Sequence, residues 1–294
     1  MNAITYFPGC SLKDSAASFE RSTVAVMERL GHPLEELPRW TCCGTVAALA
    51  TDDLMHLVAA VRNFERAQKI EAEEIVAPCA MCFNTLRQVA MRVNVDVEAR
   101  DKINAFMNEE EDYEGGVAVR HLLEILRDRV GWDAIEEKVT EPLFDLPVSA
   151  YYGCTLVRPS GVGIDDPAAP AVLGDLLEAL GATVVKTPFD TECCGSYQVV
   201  DRRDLAVDRS LRILRAAITR GAAVIATSCP LCQYNLEEAR RGALAEGMLV
   251  EATAPVVAYF TELMAAAMGL DEELLPADLR AAVVRSRETT PEGV

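Results

Sequence analysis

The apolar positions of this chain fall into short β-prone runs, each followed by a longer stretch with helical spacing. Ile4 to Phe7 is the first run, and Pro8-Gly9-Cys10 ends it. From about Ser15 to Leu30, residues Ala16, Phe19, Thr23, Val26, Met27 and Leu30 share one helical face, with Gly31 as the C-terminal stop. The stretch His32 to Trp40 then leads to Cys42-Cys43-Gly44, where glycine lets the backbone turn tightly. Thr51-Asp52-Asp53 is placed to cap a helix running through Leu57, Val61 and Phe64 toward Lys69. Glu74 to Ala77 reads as a second strand, Pro78-Cys79 follows it, and Cys82 opens another helix.

The same cadence restarts at Val148, where a strand runs into Cys154. A polar loop with Gly161, Gly163, Asp165 and Asp166 precedes a helix ending Leu180-Gly181, and Val184-Val185-Lys186 is a strand before Cys193-Cys194-Gly195. A helix over 201–220 leads to the apolar strand Ala222 to Ser228, which ends at Cys229, and Cys232 opens a further helix. Strands alternating with helices predict an α/β fold. We expect two pseudo-repeated Rossmann-like βα domains, 1–145 and 146–294, with their sites at the carboxyl ends of the strands.

Between the repeats lies a segment without cysteine. Its acidic run, Glu109, Glu110, Glu111, Asp112 and Glu114, reads as a solvated loop. A leucine-rich helix from Val117 to Val130 is expected to join the halves, with Trp132 just beyond it as a packing residue. Ala252 to Leu270 is interrupted by Pro255 and Glu262 and reads as a strand end followed by a core-packed helix, so no membrane insertion is expected.

Composition narrows the class further. With 294 residues, half of them hydrophobic, the chain is long enough for two domains. A net charge of −18 argues against nucleic acid and anionic membrane surfaces as partners, because phosphate binding needs a basic surface. The opening MNAITYFPGC has no basic region followed by a long apolar stretch, so cytoplasmic, reduced thiols are expected.

Those thiols carry the chemistry. Cys10, Cys42, Cys43, Cys79 and Cys82 form one C…CCG…CxxC set; Cys154, Cys193, Cys194, Cys229 and Cys232 form the second, and no cysteine is left over. A disulfide scaffold would need an oxidising compartment and usually a small domain poor in core. Structural zinc needs only four ligands and often uses histidine, whereas His32, His56 and His121 all lie outside both sets. Iron–sulfur binding suits soft thiolates and adjacent cysteines best, with zinc as the remaining alternative. The CCG between the CxxC pairs argues against a thioredoxin-like redox site.

The duplicated pattern, with stretches such as Cys193-Cys194-Gly-Ser-Tyr-Gln and Ser-Cys229-Pro-Leu-Cys232-Gln-Tyr-Asn, resembles the B subunit of heterodisulfide reductase from about Ile4 to Leu270. One departure is a second CCG-to-CxxC gap that is a residue shorter than usual, which a loop can absorb. The resemblance implies two non-cubane [4Fe-4S] clusters, one on each set of five cysteines, with a small-molecule disulfide reduced between them. It also implies partners: a ferredoxin-like C subunit and a flavin-containing A subunit. With no ferredoxin run, no G-x-G-x-x-G and no flavin loop, the chain is expected to take electrons from another protein. A related sulfur-oxidising complex and a non-catalytic electron-relay subunit of another oxidoreductase are the alternatives. Arg158, Tyr197 and Gln233 follow ligand cysteines closely and are candidate substrate contacts, with local loop roles as the bland alternative. Anaerobically purified protein is expected to contain acid-labile sulfide and on the order of eight irons per chain. One or two zinc ions per chain without iron would refute the cluster reading.

Overall fold

A computed structural model describes residues 3–45, 54–107 and 109–289. Thr51-Asp52-Asp53 therefore lies outside the described residues. The first half has four parallel strands, β1 (Ile4–Tyr6), β2 (Leu34–Glu36), β3 (Glu74–Ala77) and β4 (Ala118–His121), in the order β2-β1-β3-β4. The second half repeats this with β5 (Pro147–Ala150), β6 (Thr183–Val185), β7 (Val224–Thr227) and β8 (Val256–Tyr259), ordered β6-β5-β7-β8. Equivalent pairs keep the same register: Ala77 faces His121 and Thr227 faces Tyr259, each of the strands β3 and β7 ending two residues before the first cysteine of a CxxC.

The helices of the first half are α1 (Ala17–Arg29), α2 (Val58–Lys69), α3 (Ala80–Val95), α4 (Val97–Phe106), α5 (Leu122–Ile125) and α6 (Trp132–Glu136). Those of the second are α7 (Val172–Ala179), α8 (Gln198–Asp201), α9 (Arg203–Thr219), α10 (Pro230–Ala245), α11 (Phe260–Ala267) and α12 (Ala277–Thr289). Phe19, Ser22, Thr23, Val26 and Met27 are the buried face of α1, as its spacing predicts. None of the described helices is long and apolar enough to cross a membrane.

The structure corrects several expectations. The segment from Val117 to Val130 is not one helix: residues 118–121 form strand β4, and a short helix and a π-helical turn follow. Val119 and His121 are buried while Ala118 is exposed, an alternation too short to be told from helical spacing. The stretch before the first CCG contains β2, whose exposed Glu35 and Glu36 mask its strand character. Helix α3 begins at Ala80, two residues before Cys82. The acidic run is not simply solvated, because Glu110 pairs with Arg62 at 2.7 Å and Arg66 at 3.5 Å on α2. Tyr113 beside it is buried against Phe64.

Each half lends a helix to the other. On one side α1 packs on α11, where Phe19 stacks on Tyr259 with ring centroids 4.2 Å apart and the Ser22 and Thr261 hydroxyls lie 2.7 Å apart. On the other, α6 packs on α7. The hydrophobic core runs through both sheets as one cluster. Because the seam is core, Phe19→Ala should cost about 3–5 kcal/mol. In denaturant titration both halves should still unfold in one transition at a lower midpoint; separate transitions would contradict a shared core.

Candidate metal centre

Each cysteine sits where this topology leaves backbone free to converge. Cys10 and Cys154 follow β1 and β5, the CCG turns follow β2 and β6, and Cys79 and Cys229 are the N-cap residues of α3 and α10. Carboxyl ends of parallel strands are where loops meet. The two CxxC loops touch directly, Ala80 N–H donating to the Ser228 carbonyl at 3.1 Å. Asn84 on α3 crosses the same seam and donates its amide to the Thr155 and Arg158 carbonyls at 2.7 and 2.6 Å, pinning the loop beyond Cys154.

All five cysteines of the first set line one cavity of about 230 Å³, closed from the other half by Pro230, Leu231 and Tyr234. Cys10 and Cys42 Sγ lie 3.9 Å apart across it. In the second set Cys194 and Cys232 Sγ are 3.5 Å apart, and Asn235 donates its amide to Cys194 Sγ at 3.3 Å and to the Ser196 carbonyl at 2.8 Å. Gly195, at φ +103°, is required there: a Cβ would come within 2.6 Å of the Ala206 Cα. All ten thiols are free of disulfides.

Hydrogen bonds decide which sulfurs carry charge. The Cys42 and Cys82 thiols donate to Cys43 and, with the Thr45 hydroxyl and N–H, hold it down to about 3 against burial. Cys42 and Cys82 are pushed up, first by those same bonds and then by their other neighbours and burial. In the second set Cys154 and Cys194 donate to Cys193, and the Gly195 N–H and the Arg209 charge add to their pull, holding it to about 2. Its neighbour Cys194 is raised to about 12, chiefly by that bond. Cys229 is lowered by the Cys232 thiol and then by the Cys232 and Leu231 N–H groups at the α10 N-terminus. Each set therefore presents thiolate, the form of sulfur that ligates metal.

The donor sets fit iron–sulfur groups. Among the described residues no three His, Cys, Asp or Glu side chains converge as a cage for a single metal ion. Instead, the five thiols of the first set are spread around a common volume, as ligation of a polynuclear group requires. The glycine before each leading cysteine keeps the space beside the sulfurs clear: a Cβ on Gly9 would lie 2.8 Å from Cys82 Sγ, and one on Gly153 3.3 Å from Cys232 Sγ. His121 is buried at the end of β4, held neutral by burial to about 3, and its Nδ1 accepts from the Leu123 N–H at 3.1 Å. That is a capping role and not ligation.

The candidate substrate contacts separate. Arg158 shares an open cavity with Cys154 and Asn84 while donating to the Thr191 carbonyl at 2.8 Å. Tyr197 precedes α8, and Gln233 lines a different cavity with Tyr234 and Glu237. Sequence reasoning misses Asn84, Asn235, Gly9 and Gly153 as site residues, although each lies within a few residues of a cysteine and the two glycines occupy matching places before Cys10 and Cys154.

A twice-repeated parallel α/β frame carrying two five-thiol sets at one seam defines a class, a metal-binding protein with duplicated cysteine sites. The chain belongs to the CCG cysteine-rich domain family, which matches residues 4–87 and 148–237. It is 32% identical to the 8-methylmenaquinol:fumarate reductase membrane anchor subunit of Wolinella succinogenes over 79% of this chain and 81% of that one. It is 28% identical to the B subunit of the ferredoxin:CoB-CoM heterodisulfide reductase of Methanosarcina mazei over 94% and 92% of the two chains. The heterodisulfide reductase resemblance is thus borne out across most of the chain. A solved structure of a hypothetical protein from Helicobacter pylori shares the fold with a TM-score of 0.73 at 11% identity, over 93% of this chain and 51% of that one.

Gly9→Ala should displace Cys82 and lower iron content by about half, since one of two sets would be damaged. Gly31→Ala, equally left-handed but with nothing near the added methyl, is expected to keep its iron. Equal iron in both variants would refute the role given to Gly9.

Proposed function

We propose that this chain is the disulfide-reducing subunit of a heterodisulfide reductase-type complex. One non-cubane [4Fe-4S] cluster is held by Cys10, Cys42, Cys43, Cys79 and Cys82, and the other by Cys154, Cys193, Cys194, Cys229 and Cys232. The halves divide near residue 145 and work as one site. The observation that carries this reading is the seam: both CxxC loops meet through the Ala80–Ser228 hydrogen bond, and the first cysteine cavity is walled by residues from the second half.

When bound, iron–sulfur groups supply electrons singly, and reducing a disulfide takes two, which accounts for two sets around one substrate. The chain's own residues do the rest. The CxxC helices orient the thiolates, Asn84 and Asn235 fix the loops around them, and Pro230, Leu231 and Tyr234 limit water at the first cavity. Electrons come from a ferredoxin-like C subunit fed by a flavin-containing A subunit, in the cytoplasm.

A second reading has a specific support. The relative named as a subunit of a fumarate reductase favours an electron-relay role in a quinol-linked complex. The two readings part on one experiment, thiol release from a disulfide by the reconstituted complex with a reduced donor. Under the disulfide reading Cys194→Ala and Cys43→Ala each fold, since each half keeps its sheet, and each abolishes thiol release nearly completely. About half the wild-type rate in either variant would make one set a relay.

A further inference from the structure

The two halves share one frame around the CxxC helices, and one difference in charge stands out between them. In the first half the last strand ends at His121, whose N–H donates to Glu124 Oε2 at 2.9 Å. In the second it ends at Tyr259, whose N–H donates to Glu262 Oε2 at 2.9 Å. Eight residues beyond Cys79 stands Arg87, and eight beyond Cys229 stands Glu237. Arg87 Nη1 bonds both carboxylate oxygens of Glu124, at 2.9 and 3.0 Å, inside a cavity lined by both. The corresponding cavity of the second half, about 290 Å³, is lined by Glu237 and Glu262 together. A carboxylate pair occupies the place of an ion pair.

Neither carboxylate is fully satisfied. Glu262 is 1% exposed, and among the described residues neither its Oε1 nor Glu237 Oε1 finds a hydrogen-bond partner. Buried oxygens left so are few in folded proteins, and each calls for an explanation. The surrounding charges do not supply what Arg87 supplies opposite. Arg240 bonds Glu237 Oε2 at 3.4 Å and is drawn away to Glu251 at 2.9 Å, while Arg241 is taken up by Glu238. Asp278 from α12 adds like charge to both glutamates, and Arg21 from α1 opposes it at Glu262. Burial pushes Glu262 up to about 7 against the Tyr259 N–H and the Ser18 hydroxyl, and it raises Glu237 against Arg240. Tyr234 then links this cavity to the chemistry, because it also walls the cavity lined by Cys10, Cys42, Cys43, Cys79 and Cys82.

We propose that Glu262 and Glu237 form the proton store of the site and deliver protons past Tyr234 to the thiolates released there. This rests on the disulfide-reductase reading. The reaction it serves is R–S–S–R′ + 2 e⁻ + 2 H⁺ → R–SH + R′–SH. The S–S bond breaks and two S–H bonds form. The electrons come one at a time from an iron–sulfur partner protein, and the protons come from the two carboxyls, which are recharged from water through their own cavity. The first half, with its carboxylate neutralised by Arg87, has no such store.

The test uses Glu262→Gln and Glu237→Arg in the reconstituted complex and in the anaerobic holo-chain. Wild-type thiol release should fall as pH rises through about 7, where the donor empties. Both variants should lose rate on the order of a hundredfold at neutral pH, together with that limb of the profile, while reduction of the chain by its donor is unchanged. Denaturant midpoints give a readout independent of turnover. A carboxyl that binds its proton more tightly when folded stabilises the fold at low pH and loses that contribution as pH rises to about 7. The wild-type midpoint should therefore decline across that window relative to Glu262→Gln. Glu237→Arg, which restores the first half's ion pair, should raise the midpoint at neutral pH while lowering the rate. Should Glu262→Gln fail to fold, Glu237→Arg alone decides. An active wild type whose variants keep its rate and pH profile, or identical pH slopes of stability, would overturn the proton store. A wild-type complex that releases no thiol would overturn the disulfide reading beneath it.

Discussion

Everything in this molecule depends on two parallel sheets presenting the carboxyl ends of their strands to one another. Parallel strands cannot be joined by hairpins, so each connection is a helical crossover and each strand end becomes a loop free to carry a cysteine. Loops at those ends let thiols more than 70 residues apart in sequence gather within each half, and facing the ends brings the two CxxC loops within a single hydrogen bond, Ala80 to Ser228. The exchange of helices fixes that geometry. Packing of α1 on α11 and of α6 on α7 makes the interface part of the core, so the sites cannot drift apart without exposing Phe19, Tyr259 and Phe260.

The duplication keeps its frame and varies its filling. Strand order, register, the positive-φ glycines before Cys10 and Cys154 and the helix starts at the CxxC loops all recur, because each is needed to aim sulfur into one volume. Five residues after the first CxxC cysteine, by contrast, Asn84 pins a loop of the second half whereas Tyr234 walls the first cysteine cavity. Eight residues after, Arg87 and Glu237 carry opposite charges. The two sets are therefore alike as ligand arrays and unlike in their surroundings.

Charge follows the same logic. The acidic chain engages several arginines in pairs away from the cysteines, Arg62 and Arg66 on Glu110, Arg241 on Glu238, and leaves the cysteine loops mainly to helix N-termini and thiol hydrogen bonds, with Arg209 adding its charge at Cys193. Thiolate is then stabilised by short-range donors, which salt does not screen as it screens surface pairs.

Much is legible in the sequence. The cysteine spacing announces two sites, and the β-prone runs before Cys10, Cys79, Cys154 and Cys229 place them after strands, because a run of apolar residues ending in a turn is a local signal. The halves' equivalence is likewise visible in the spacing alone. What the tertiary structure decided is everything that requires two distant segments to be near. Strand β4 reads as helix in the sequence because four residues with Leu122 and Leu123 behind them have no period of their own; pairing with β3 makes them a strand. The acidic run reads as solvated because the arginines that hold Glu110 lie more than 40 residues upstream. That Glu237 and Glu262 line one cavity, and that Arg87 bonds Glu124 in the other, follows only once α10 meets the end of β8 and α3 the end of β4. A sequence records which side chains are charged, but whether a charge is neutralised, shared or left with its proton depends on what the fold puts beside it.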